Sequence, residues 1–90
     1  MTDQAKVTVY RTRSCPFCVM AAELLDRLDV YAHEVFLDDH PDRRGFTHAI
    51  LPGHYTVPLI LVGEAPIGGF FELRKLADSG ELEELLRAAG

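Results

Sequence analysis

The sequence predicts an α/β domain in which a four-stranded mixed sheet is flanked by helices, in the order βαβ, helix, ββα, with one more helix at the C-terminus. Three observations point there. A β-branched run at 6–10 is followed by helical apolar spacing and then by a β-branched and aromatic run at 31–37, which makes a βαβ unit. The segment 57–62 is almost wholly apolar, as a strand buried on both faces must be. Helical spacing then resumes from residue 70 to the end of the chain.

Taken in order, the first strand is Lys6 to Tyr10, whose β-branched residues alternate with polar ones. The first helix covers 16–29: Pro16 suits its first turn, and Cys18, Ala21, Leu25 and Leu28 recur at helical spacing. The second strand, Tyr31 to Leu37, is parallel to the first because a whole helix intervenes. A second helix is expected to start within Asp38-Asp39-His40-Pro41, to show an apolar face of Phe46, Ala49 and Ile50, and to end before Pro52-Gly53. The third strand is 57–62, and Gly63-Glu64 turns it into a short edge strand at 65–67. Gly68-Gly69 opens a helix through Phe71, Leu73, Leu76 and Ala77, and Asp78-Ser79-Gly80 separates it from a last amphipathic segment with Leu82, Leu85, Leu86 and Ala89. Glu81, Glu83 and Glu84 favour the N-terminus of that last helix.

Ninety residues, 48% hydrophobic and 26% charged, suit one compact domain over 1–90, near the small end of what buries a self-sufficient core. No run of eighteen apolar residues exists, and the opening Met1-Thr2-Asp3-Gln4 lacks a basic stretch followed by an apolar one. Neither a membrane span nor a secretion signal is therefore expected, and the cytoplasm is the expected location. A net charge of −5 with nine Lys and Arg argues against a general nucleic-acid surface. The expected partner is a small molecule or another protein.

Cys15 and Cys18 are the only cysteines. A bridge between positions three apart closes too short a loop to hold a domain together, so the pair is reactive or binds metal. Directly after a strand and opening a helix, a Cys-x-x-Cys motif reads as a redox centre. Thiolate is the nucleophile, and free N–H groups with a positive dipole end favour the thiolate of a cysteine at a helix N-terminus. Cys15 is thus the expected nucleophile, with Arg11 and Arg13 as nearby cations and Asp3 the only acid in the segment. Cys18, nearly one turn on and inside the helix, is the expected resolving thiol. Zinc is the competing reading, with His33, His40, His48 and His54 as the available extra ligands, but no second closely spaced ligand pair exists. Solvated surface positions suit these histidines better. Phe17 either covers the helix end or offers a platform beside the reactive sulfur.

Val9-Tyr10 ahead of Cys15-Pro16-Phe17-Cys18, Thr56-Val57-Pro58 further on, and Ile67-Gly68-Gly69 near the C-terminus together resemble the glutaredoxin family, over essentially the whole chain. The resemblance implies a thioredoxin-like fold and a dithiol that reduces protein disulfides and glutathione mixed disulfides. It also implies that Pro58 is cis and faces the dithiol, whereas the residues alone favour a trans proline opening a strand. Val57 would then offer its backbone groups to an extended substrate. Glutathione is implied as co-substrate, with no metal, at a site drawn from Arg11, Thr12, Arg13, Phe17, Thr56, Val57, Pro58, Gly68, Gly69, Phe70, Phe71 and Glu72. Backbone N–H groups at Gly68-Gly69 would take its γ-glutamyl carboxylate.

The chain departs from the family pattern at three places: Thr12 where lysine is usual, Phe70-Phe71 where a small or polar residue and an acid are usual, and Leu59 after the proline. Phenylalanine side chains offer the γ-glutamyl group no hydrogen bond, so Glu72 is the acid left to do so, and burial of one of the two rings in the core is expected. Implied partners are disulfide-bearing proteins, ribonucleotide reductase among them, met by a monomer. Two alternatives stand beside this reading: an electron donor recharged by thioredoxin reductase, and a non-enzymatic dimer holding an iron-sulfur cluster.

Overall fold

The computed structural model describes residues 5–88. The Met1-Thr2-Asp3-Gln4 opening and Ala89 of the last apolar face lie outside the described residues. The elements are β1 (Val7–Arg11), α1 (Pro16–Arg27), β2 (Ala32–Phe36), α2 (Arg43–Ile50), β3 (Leu59–Val62), β4 (Ala65–Gly68), α3 (Phe70–Ser79) and α4 (Glu81–Ala88). They form one sheet of order β2-β1-β3-β4. β1 and β2 run parallel, as the intervening helix requires, and the other two pairings are antiparallel.

Alternation along the strands divides the side chains between two layers. Val7 and Val9 of β1 and Ile60 and Val62 of β3 face Ala21 and Leu25 of α1, Phe70 and Leu73 of α3, and Leu82 and Leu86 of α4. On the other side of the sheet the Tyr10 ring meets Phe46 of α2 edge-on, with centroids 5.0 Å apart. Helices therefore cover both faces. No helix among the described residues is long and apolar enough to cross a membrane.

Several boundaries differ from the sequence expectation, each for a local reason. α1 stops at Arg27 because Asp29 takes a left-handed conformation (φ 57°) that turns the chain toward β2. α2 begins at Arg43, not within 38–41. Pro41 disfavours helical backbone at the residue before it, and Asp42 caps the helix by accepting the Gly45 N–H at 3.0 Å. The inward residue of α2 is Thr47, fully buried, while Ala49 is exposed and Phe46 and Ile50 are half-buried. A hydroxyl is tolerated there because it donates within its own helix, to the carbonyls of Arg43 and Arg44 at 3.3 and 3.2 Å. β3 begins at Leu59, just past Pro58, which has no N–H to give a ladder.

The antiparallel register of β1 with β3 positions the functional region. Tyr10 lies opposite Leu59, so Val57 and Pro58 arrive beside the end of β1, where the chain leads to Cys15 and α1.

Candidate active site

Cys15 is the N-cap of α1, with extended backbone (φ −91°, ψ 112°), and Pro16 follows at the first helical position. Its Sγ accepts the Cys18 backbone N–H at 3.2 Å, so the sulfur uses one of the donors that a helix start leaves without an intrahelical partner. On its other side Sγ lies 3.6 Å from the carbonyl oxygen of Val57, to which the thiol donates. The Val57-Pro58 peptide is cis. The expectation for Pro58 therefore holds, and the loop meets the dithiol across forty-two positions of sequence.

The two thiols are free and unequal. Cys15 is partly exposed, whereas Cys18 is 0% exposed on the inner side of α1. Burial pushes the Cys18 thiol from 9.0 up to about 12, and its hydrogen bond with Cys15 adds to this. A backbone hydrogen bond from Thr12 and the Arg11 charge oppose the rise without cancelling it.

Arg11 and Arg13 correct the sequence reading. Arg11 is buried and its Nη1 lies 2.6 Å from Oε2 of Glu34 on β2. Arg13 pairs with Asp38 at 3.6 Å, and its backbone N–H donates to the same carboxylate at 3.1 Å. Both guanidinium groups stack over the Phe36 ring, at 4.9 and 5.1 Å from its centroid. These cations are engaged by β2 and the segment after it rather than aimed at Cys15, and Arg11 bears on Cys18 instead.

At Gly68-Gly69 the geometry is more specific than a glycine pair suggests. Gly68 has φ 116°, and a Cβ there would come within 2.9 Å of the Glu72 side chain. The Gly69 N–H donates to Oε1 of Glu72 at 2.7 Å, the carboxylate half of a capping box. That N–H, read from sequence as open to a ligand, is already engaged. Of the two phenylalanines, Phe70 is in the core at 7% exposure and Phe71 is 62% exposed, as expected of one buried ring. Phe71 packs against Phe17, itself 45% exposed, with centroids 5.3 Å apart, and Phe70 lies behind at 6.2 Å from Phe17. Phe17 is thus an exposed ring packed on Phe71, at the start of α1. Thr56 is exposed and Val57 half-buried in the loop ahead of β3, and Thr12 is half-buried between β1 and Cys15.

The histidines divide. His33 and His48 are exposed, as expected of solvated positions. His40 is half-buried, with Nδ1 accepting the Asp42 N–H at 2.9 Å. His54 is also half-buried, and its Nε2 lies 3.1 Å from the Pro58 carbonyl oxygen. Sequence reasoning missed His54, whose one signal was its position four residues before Pro58. Among the described residues no group of three or more His, Cys, Asp or Glu converges as a metal site.

A partly exposed cysteine at a helix N-terminus, a buried partner one turn on and a cis-proline loop facing the first sulfur define a thiol-disulfide oxidoreductase of thioredoxin-like fold. Comparison with known proteins narrows the class. The model of the family described as Glutaredoxin matches residues 7–67. A glutaredoxin of Pseudomonas aeruginosa is 39% identical over 82 residues, covering 91% of this chain and 96% of the relative. One from Neisseria meningitidis is 37% identical over 81 residues, covering 89% and 94%. Among solved structures, the glutaredoxin of Brucella melitensis superposes with a TM-score of 0.84 at 29% identity, over 99% of this chain and 96% of that one. A buckwheat glutaredoxin-glutathione complex does so with a TM-score of 0.82 at 26% identity, over 96% and 80%. This chain belongs to the glutaredoxin family, whose members are glutathione-dependent thiol-disulfide oxidoreductases.

Proposed function

We propose that this chain reduces glutathione mixed disulfides and protein disulfides in the cytoplasm, with Cys15 as nucleophile, Cys18 as resolving thiol and glutathione as the final reductant. One observation carries the division of labour: the Cys15 sulfur is accessible between a helix N–H and the Val57 carbonyl, while Cys18 is buried and keeps its proton. With a glutathione mixed disulfide, the Cys15 thiolate bonds to the glutathione sulfur and expels the other thiolate. A second glutathione thiolate then bonds to the sulfur of the bound glutathione, leaving as glutathione disulfide and restoring the Cys15 thiolate. With a protein disulfide, Cys18 attacks Cys15 in the mixed disulfide and its proton passes to the departing protein thiolate. The resulting Cys15-Cys18 disulfide is reduced by two glutathiones.

The γ-glutamyl carboxylate is assigned to the N–H groups of Phe70 and Phe71 in the first turn of α3, since Glu72 holds that of Gly69. The glycine carboxylate is assigned to Arg13, exposed over most of its side chain, in preference to Arg11, which is enclosed by Glu34 and Phe36. Thr12, Phe17, Thr56 and Val57 line the space between them in this reading. Ribonucleotide reductase is one disulfide-bearing target to assay. No observation on the molecule favours recharging by thioredoxin reductase or a shared iron-sulfur cluster.

The test is turnover coupled to NADPH oxidation, with glutathione and glutathione reductase in one arm and thioredoxin reductase in the other. Cys15→Ser is expected to abolish turnover on every disulfide. Cys18→Ser is expected to keep turnover on a small glutathione mixed disulfide and to lose reduction of a protein disulfide. Activity retained by Cys15→Ser, or turnover confined to the thioredoxin reductase arm, contradicts the proposal.

A further inference from the structure

The His54 side chain joins the two loops assigned above to glutathione. Its Nε2 lies 3.1 Å from the Pro58 carbonyl oxygen, and because a carbonyl only accepts, the ring must donate there, which requires a proton on Nε2. Beyond that carbonyl stands the turn into α3. A Cβ built on Gly69 would lie 3.5 Å from the Pro58 oxygen and 3.7 Å from Cε1 of His54, so the carbonyl and the ring edge border the space that a side chain at Gly69 would fill. The anchor of His54 is itself fixed, since its backbone N–H donates to Leu51 at the end of α2 at 2.9 Å. One residue earlier than Pro58, the Val57 carbonyl faces the Cys15 sulfur. The end of α2, the proline loop and the Gly68-Gly69 turn thus converge around His54.

We propose that His54 is a positioning residue for the substrate site: its Nε2–H holds the Pro58 carbonyl beside the Gly69 turn and thereby fixes the spacing between the Val57 backbone and the start of α3. It rests on the glutathione reading above, since those two loops are the ones assigned to the tripeptide. A substrate that spans both loops loses affinity when that spacing relaxes, whereas the dithiol and its helix are untouched.

The experiment compares His54→Ala, His54→Phe and His54→Gln on a glutathione mixed disulfide. Phenylalanine keeps the ring volume and removes the donor, and glutamine returns an N–H near the Nε2 position. One neutral hydrogen bond corresponds to about two- to ten-fold in binding, so KM is expected to rise by about that factor in the Ala and Phe variants with a smaller change in kcat. His54→Gln is expected to stay within about two-fold of wild type. An unchanged KM in His54→Phe, or an equal rise in all three variants, overturns the proposal. Nitrogen NMR of the wild-type imidazole stands apart from whether the variants fold: an Nε2–H tautomer at neutral pH is expected, and an Nδ1–H tautomer overturns it. Failure of the glutathione reading itself would show as a wild-type protein that does not turn over the mixed disulfide at all.

Discussion

Cys18 holds its proton far beyond the range in which an ordinary thiol releases it, because the interior of α1 solvates a thiolate poorly. The sign of the linkage follows. The thiol is raised from 9.0 in the open chain to about 12 in the fold, so the folded state binds this proton more tightly. The corresponding stability is fully present below pH 9 and is lost as pH climbs from about 9 toward 12. Urea unfolding of the reduced protein at rising pH is expected to show wild type losing stability faster than Cys18→Ser, which has no proton to lose there. Parallel curves would mean that Cys18 is solvated. Arg11 shows the same physics with the opposite remedy: a buried cation is tolerated because Glu34 stands 2.6 Å away and the Phe36 face covers it.

At the scale of single elements, the start of α3 is the most constrained junction. Gly68 sits at φ 116° with the Glu72 side chain where a Cβ would go, whereas Gly69 has φ −100° and room for a methyl group. Gly68→Ala is therefore expected to cost about 1–3 kcal/mol in chemical unfolding, and Gly69→Ala clearly less. Equal costs would mean that the turn rearranges. Glu72→Ala removes the acceptor of the Gly69 N–H, with an expected loss of about 1 kcal/mol that Glu72→Gln largely restores. Because this carboxylate serves the helix, a change in glutathione affinity on removing Glu72 reads the cap as well as the ligand.

Over the whole molecule, Leu73 on α3 stands at 0% exposure among residues of α1, both central strands and α4. Leu73→Ala is expected to cost about 2–5 kcal/mol, a large share of the roughly 5–15 kcal/mol available to a domain of this size. Thermal unfolding checks it, and a loss below about 1 kcal/mol would show that the helices close over the gap. Element order, the parallel β1-β2 pair and the β3-β4 turn were legible in the chain because a whole helix separates the first two strands and Gly63-Glu64 the last two, whereas the antiparallel pairing of β1 with β3 carries no local mark. The dithiol was legible because Cys-x-x-Cys is local. The start of α2 was not, since Asp38 and Asp42 are equally good caps and only Pro41 separates them. Nor were the partners of Arg11 and Arg13, which the parallel register of β1 and β2 brings together from distant positions. His54 escaped for the same reason: its acceptor is a backbone carbonyl, which carries no mark in a sequence.

The depth of Cys18 has a consequence for how this protein ages in an oxidising cell. A peroxide reaches the partly exposed Cys15 sulfur and finds Cys18 both hidden and protonated. The sulfenic acid formed on Cys15 has a thiol already at its side, which attacks it, expels water and closes a disulfide that glutathione reopens. Buried chemistry thus serves as a fuse that resets. Peroxide-treated wild type is expected to halt at the disulfide, while Cys18→Ser gains the mass of two oxygens on Cys15 and does not recover with reductant. Equal accumulation of the sulfinic acid in both would mean that the inner thiol is too slow to protect the outer one.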